Sequence, residues 1–280
     1  MGHYISASQD CEVSSDEADT DVFEYGIGGE FPYLVHRPSA QQRLWPVLVF
    51  LHGFGERGPP DGTGLPKLSN FLHECLMPCL QEFIVVAPQC SSGIWAACTN
   101  ELNLFLDALL KDEPVDYSRI SLTGVSMGAY GCWALALSRP DKFAALVPVC
   151  GALTGPKGPG ITIPQLLVLS RQAPAAEDVA KVYMIPAWLF HGRCDRTVCV
   201  RGSEWLYHSL GGHGRGPEQL RLTVFEETGH ECWHDAYNHP GLYDWLLTRR
   251  SKRCMLSMHA LTSIEDETIR QHCSTRNSTW

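Results

Sequence analysis

No stretch of this chain approaches the roughly 20 consecutive apolar residues that a membrane-spanning helix needs. Nor does an apolar run follow a basic start at its beginning, so a secretory signal is not expected. The two absences together predict a cytoplasmic protein with no stable membrane insertion. Basic residues are scarce. Lys and Arg number 22 against 31 Asp and Glu, leaving a net charge of −9, and no basic stripe gathers the charge needed to hold a phosphate backbone. Nucleic acid is therefore disfavoured as a partner. Zinc patterns are also lacking. The 12 cysteines are numerous, yet His73, Cys75 and Cys79 cluster without a second ligand pair. In a reducing compartment these thiols are expected to pack as small hydrophobic side chains, and no metal or cofactor is expected.

What the chain does have is enough apolar material, 44% of 280 residues, for one sizeable core. Apolar runs of strand length alternate with helical patterns. Strands are predicted near 46–51, 83–88, 119–123, 144–150, 186–191 and 220–226, and helices near 67–78, 99–111, 127–138, 200–210 and 233–248. Such alternation predicts an α/β fold, a mostly parallel sheet with helices on both faces. The ends differ from this middle. Residues 10–24 hold seven acids and no bases, so residues 1–28 are expected to be a disordered acidic leader. The domain then spans 29–250. A polar tail follows over 251–280, opening on basic Arg249, Arg250, Lys252 and Arg253, with a short helical pattern at 264–271.

Within the domain, Leu122-Thr123-Gly124-Val125-Ser126-Met127-Gly128 is the most informative stretch. An apolar strand runs into Gly-x-Ser-x-Gly, and Tyr130, Trp133, Ala134, Ala136 and Leu137 then follow at helical spacing. A sharp strand-to-helix turn of this kind exposes a serine hydroxyl as a nucleophile. The same pentapeptide can also be a plain Gly/Ser-rich turn, so its partners must decide. A nucleophilic Ser126 requires an acid and then a histidine further along the chain. Asp195 ends the apolar run Pro186 to Phe190 and its glycine turn. His230 follows the strand-like Thr223-Val224-Phe225 and Gly229. In this scheme His230 takes the serine proton and Asp195 fixes its tautomer.

Rivals exist for each role. Asp116 and Asp141 lie too near the turn in sequence, and His191 reads as a packed histidine with local hydrogen bonds. His234 falls in the opening turns of the last helical pattern, where a pair with His230 could hold a metal only with a third ligand that is not evident. One oxyanion donor is expected from the Met127 amide at the helix start. The second is expected from the loop after Pro46 to Leu51, at Phe54 or alternatively Gly53. Glu56 and Arg57 in that loop form either a local ion pair or solvated charges. Trp95 and Trp233 are candidates for pocket walls or for core packing.

Several segments in this order resemble the α/β-hydrolase superfamily. They are Leu51 to Gly58, Val115 to Ile120, Gly124 to Trp133, Phe190 to Asp195 and Gly229 to Trp233. The similarity is to its compact esterase group of dienelactone-hydrolase-like, polyhydroxybutyrate-depolymerase-like and phospholipase/carboxylesterase-like enzymes, and covers roughly residues 30–248. Two departures stand out: Ala129 replaces a second glycine common after the turn, and Ser126 stands where dienelactone hydrolases carry cysteine. The second argues for ordinary ester hydrolysis. Residues 153–175 fall where the superfamily inserts lids and are few, which the resemblance translates into a short or absent lid and small or flexible acyl substrates.

The resemblance implies a serine carboxylesterase acting through an acyl-enzyme on a small ester or thioester. Phospholipase or acyl-protein thioesterase activity is the nearest alternative, a serine peptidase a more remote one, and a non-catalytic binding module the alternative of another kind. The residues set neither the physiological substrate nor the oligomeric state. Cys194 and Cys199 flank the expected acid, and Cys232 adjoins the expected base. Oxidation there is expected to disturb the site: mild peroxide should lower activity, and unchanged activity would count against this placement.

Overall fold

Alternation at a period of two builds the centre of the sheet. Along strand β3 (Trp45–Leu51), Trp45, Val47, Val49 and Leu51 enter the core on one face while Leu48 and Phe50 enter the core on the other. Every residue of β3 is buried, as a strand of a parallel sheet covered on both sides requires. In the computed structural model, which describes residues 23–28, 31–40, 44–91, 93–153, 164, 174–211 and 214–251, β3 lies inside an eight-stranded sheet. The other strands are β1 (Glu24–Gly28), β2 (Phe31–His36), β4 (Ile84–Pro88), β5 (Val115–Val125), β6 (Ala145–Val149), β7 (Ala187–Gly192) and β8 (Leu220–Phe225). Their order across the sheet is β1-β2-β4-β3-β5-β6-β7-β8. β1 and β2 run antiparallel to their neighbours, and all later pairings are parallel.

Helices α1 (Leu65–Leu76), α2 (Thr99–Leu110), α3 (Met127–Ser138), α4 (Ala176–Val182), α5 (Arg201–Ser209), α6 (Trp233–Tyr237) and α7 (Leu242–Leu247) connect the strands and flank the sheet. The α/β alternation expected from the sequence is therefore present, with several differences, among them strand β2 and helix α4, which none of the expected ranges covers. The last stretch of the expected leader is ordered as β1, an edge strand pinned by Phe23, whose ring packs edge-on to His36 and His73. Its two glycines and outward Tyr25 and Ile27 hide the strand pattern. The single helix expected over 233–248 is two helices, because Pro240 lacks an amide proton and disfavours helical backbone at His239, and Gly241 turns the chain at φ 78°. Finally, α3 buries every residue from Met127 to Leu137, with no polar face. It packs against β3, β5, β6 and α2, so apolar residues are needed all round. The rest of the leader, most of the expected lid segment, and residues 252–280 with the 264–271 pattern lie outside the described residues.

The closest backbone approach in this core is at Gly128, where a Cβ would fall 1.8 Å from the Leu51 carbonyl oxygen. No side-chain rotation can relieve that clash, since the obstacle is the backbone of the central strand. Gly128→Ala is expected to lower urea-unfolding stability by about 3 kcal/mol or to prevent folding; a change within about 0.5 kcal/mol would show that α3 can move away from β3.

Candidate active site

Ser126 stands between the end of β5 and the first residue of α3 with φ 51° and ψ −112°, a positive-φ conformation that non-glycine residues seldom adopt. Three backbone bonds hold it there. Its N–H donates to Val149 O at 2.9 Å, and its carbonyl accepts from Ala129 and Tyr130 amides. The small Ala129 is buried, its methyl resting where Gly151 leaves space. Strain at one residue thus presents the Ser126 side chain above the carboxyl end of the central parallel strands, where an open α/β sheet collects its functional groups.

Two further loops arrive at the same edge. Asp195 follows β7 and His230 follows β8, neighbouring parallel strands. The loops are sewn together: Arg193 N–H donates to Phe225 O at 2.9 Å and Cys194 N–H to Thr228 O at 3.0 Å. A Cβ at Gly192 would lie 2.0 Å from Gly229 O, so only glycine permits this approach. The result is a continuous bridge. His230 Nε2 lies 2.9 Å from Ser126 Oγ, and His230 Nδ1 lies 2.7 Å from Asp195 Oδ2. The Asp195 side chain is wholly buried, whereas 21% of His230 is exposed, leaving the imidazole accessible and the carboxylate sealed.

Burial pushes the Asp195 carboxyl upward, but hydrogen bonds from His191, His230 and the Val198 amide outweigh it and hold the group well below the usual carboxylate range. Its Oδ1 accepts the amides of Thr197 and Val198, each at 2.8 Å. The acid is therefore an anion at neutral pH, as orienting an imidazole requires.

Phe54 opens a single-turn helix over Phe54–Glu56, and Met127 opens α3. First amides of helices have no helical acceptor and remain available to an anion. Phe54, Met127, Ser126 and His230 border one cleft of about 570 Å³, with Phe71 and Trp233 among its apolar walls. The loop carrying Phe54 is anchored by His52, a residue given no role in the sequence reading. Its Nδ1–H donates to Gly53 O at 2.6 Å, its Nε2 accepts the Cys90 amide at 2.9 Å, and its carbonyl accepts Trp95 Nε1–H at 3.0 Å. Burial lowers the His52 pKa to about 4, so the ring stays neutral and keeps that tautomer.

Of the two alternatives for Glu56 and Arg57, the ion pair is not among the contacts of the described residues. Arg57 stacks 3.6 Å over the Phe54 ring, and the Glu56 carboxyl is raised by burial, partly offset by Lys67. Trp95 belongs to the core, fully buried and stacked on Phe31. Of the rival residues, His234 is exposed on α6, and Asp116 binds Ser118 and Arg119 at the start of β5. Among the described residues no group of three His, Cys, Asp or Glu side chains is placed to hold a metal ion.

No family model matches the sequence. Poly(3-hydroxyalkanoate) depolymerase C of Paucimonas lemoignei is 28% identical over 156 residues, which cover 49% of this chain and 36% of the depolymerase. A thermostable esterase of known structure superposes with a TM-score of 0.61 at 24% identity, covering 82% of this chain and 64% of the esterase. The match thus spans about a third of the depolymerase and under two thirds of the esterase. A ferulic acid esterase matches 81% of this chain and 96% of its own with a TM-score of 0.53 at 18% identity. The acylaminoacyl peptidase of Pyrococcus horikoshii matches 83% and 42% with a TM-score of 0.56 at 17% identity. The chain has the α/β-hydrolase fold.

On this α/β-hydrolase scaffold, thiols sit at several points around the site. Cys194 is exposed and Cys199 partly so, while Cys232 is buried and its thiol meets that of Cys150 at the end of β6. Burial pushes the Cys150 thiol far up, which makes it a poor nucleophile, so Cys194 and Cys199 are the accessible sites for oxidant.

The depressed Asp195 carboxyl has a consequence for stability. Its folded pKa lies below the unfolded value of about 3.9, so its contribution is present above that pH and is lost as pH falls through the folded value. Asp195→Asn should cost about 2 to 4 kcal/mol at pH 7. Urea unfolding should show that gap narrowing as pH falls from about 5 to about 2; a gap constant over this range would mean that the carboxylate charge is not stabilised by the fold.

Proposed function

We propose that this protein is a serine hydrolase that cleaves carboxylic esters through an acyl-enzyme. The carrying observation is the His230 imidazole, within hydrogen-bond reach of Ser126 Oγ on one nitrogen and of a buried Asp195 carboxylate on the other. In this reading Ser126 Oγ attacks the ester carbonyl as His230 Nε2 takes its proton. The Phe54 and Met127 amides donate to the resulting oxyanion. The tetrahedral adduct collapses as His230 returns the proton to the departing alcohol, leaving the acyl group on Ser126. Water, deprotonated by the same imidazole, then releases the acid and restores the serine. Asp195 remains ionised throughout and stabilises the imidazolium.

Similarity to a poly(3-hydroxyalkanoate) depolymerase and to esterases supports ester chemistry, and poly(3-hydroxyalkanoate) is itself a polyester. The same steps would serve a small thioester. A partly apolar cleft open to solvent supports small-molecule substrates rather than a macromolecular partner.

Labelling with a fluorophosphonate should place one adduct on Ser126, found by mass spectrometry of the digested protein. Ser126→Ala should abolish the adduct, and His230→Ala should slow both labelling and turnover of a small ester by about 1,000-fold or more. A folded native protein that forms no adduct would refute the assignment.

A further inference from the structure

Asp195 Oδ2 has two imidazole neighbours. Besides His230 Nδ1 at 2.7 Å, His191 Nε2 lies 3.2 Å away, on a ring with no exposed surface. The surroundings of that ring determine where its hydrogen is. Nε2 also faces the Val198 carbonyl oxygen at 3.1 Å. A carbonyl and a carboxylate oxygen can only accept, so Nε2 must carry hydrogen whatever the state of Nδ1. On the other side Nδ1 lies 2.8 Å from Ser203 Oγ, which in turn donates to Gly151 O at 2.9 Å.

These contacts close a circuit. Gly151 follows β6 and packs against the turn that bears Ser126, a Cβ there falling 3.2 Å from Ser126 O. From Gly151 the path runs through Ser203 at the start of α5, then His191, Asp195 and His230, and returns to Ser126.

We propose that His191 is a positioning residue for this site, its buried Nε2–H and the Ser203 tether behind it holding the Asp195 carboxylate where Oδ2 meets His230. The inference rests on the Ser126–His230–Asp195 reading above. His191 touches neither substrate nor the reacting atoms; it acts through Asp195. Because the two imidazoles share one oxygen, each donor limits how strongly the carboxylate holds the other. Removing the His191 donor directs more of the negative charge to His230, which stabilises the imidazolium and leaves less neutral base at a given pH. The sign is the same whether His191 is neutral or cationic. Other groups around the pair are the Cys150 and Cys232 thiols, Glu231 and His234 after the base, and Glu56 across the cleft. None changes when His191 is replaced.

The test is the pH profile of kcat/KM for a small neutral ester, in the full chain, for native protein, His191→Phe and His191→Gln. The Phe variant is expected to lose about tenfold in kcat with KM within about threefold, and its acid limb should move to higher pH by about half a unit or more. The Gln variant keeps an N–H donor and should recover most of both effects. A folded Phe variant with the native acid limb would overturn the inference, whatever its rate. Should that variant fail to fold, Ser203→Ala loosens only the tether and should shift the limb in the same direction by less; an unmoved limb there overturns it equally. Native protein with neither turnover nor a Ser126 adduct would remove the proposed function and this inference together. Native turnover with unmoved limbs in the variants would remove this inference alone.

Discussion

A buried carboxylate must be fully hydrogen-bonded, because an unpaired charge out of water is among the most expensive features a fold can contain. Asp195 meets that requirement with four donors: the Thr197 and Val198 amides on one oxygen, and His191 and His230 on the other. Each donor depends on something larger. The amides require the tight turn after β7. His230 requires the β8 loop to lie against that turn, and His191 requires Ser203 of α5 behind it. The geometry at Ser126 is in this sense a by-product of solvating one anion with protein groups.

The sheet makes the arrangement possible. Ser126, Asp195 and His230 leave the same edge on loops after β5, β7 and β8, which the parallel pairing β5-β6-β7-β8 sets side by side although 104 residues separate Ser126 from His230. Burial on both faces makes the sheet rigid, so the loops inherit fixed starting points. Two glycines, Gly128 and Gly192, allow backbones to approach more closely than any side chain would permit. The first seats α3 on β3. The second seats the acid loop against the base loop.

Histidine takes a different role at each of four positions, which follows from surroundings rather than from residue type. His52 is held neutral by burial, against the opposing pull of its hydrogen bond to Gly53 O, and braces the loop of Phe54. His36 contacts the Leu80 carbonyl oxygen and Phe23, and secures the antiparallel edge. His191 spans Ser203 and Asp195, and His230 spans Asp195 and Ser126.

The sequence by itself determined the alternation of strands and helices, the glycine-flanked serine, and the acid and histidine that follow it, because periodicity and glycine placement are local properties of the chain. It also places His230 after Gly229 in a loop and His234 in a helical pattern, and the structure has His230 outside and His234 inside the helix Trp233–Tyr237. The edge strand β1 is not legible in the sequence because its glycines and exposed faces give a weak pattern, and the apolar spacing over 233–248 reads as a single helix although Pro240 and Gly241 divide it. Only the tertiary structure decided which histidines touch Asp195, that Arg57 stacks on Phe54 instead of pairing with Glu56, and that His52 anchors the loop beside the serine. Those contacts join residues through side-chain direction and the packing of distant strands, and pairings of that kind leave no periodic trace in the order of residues along a chain.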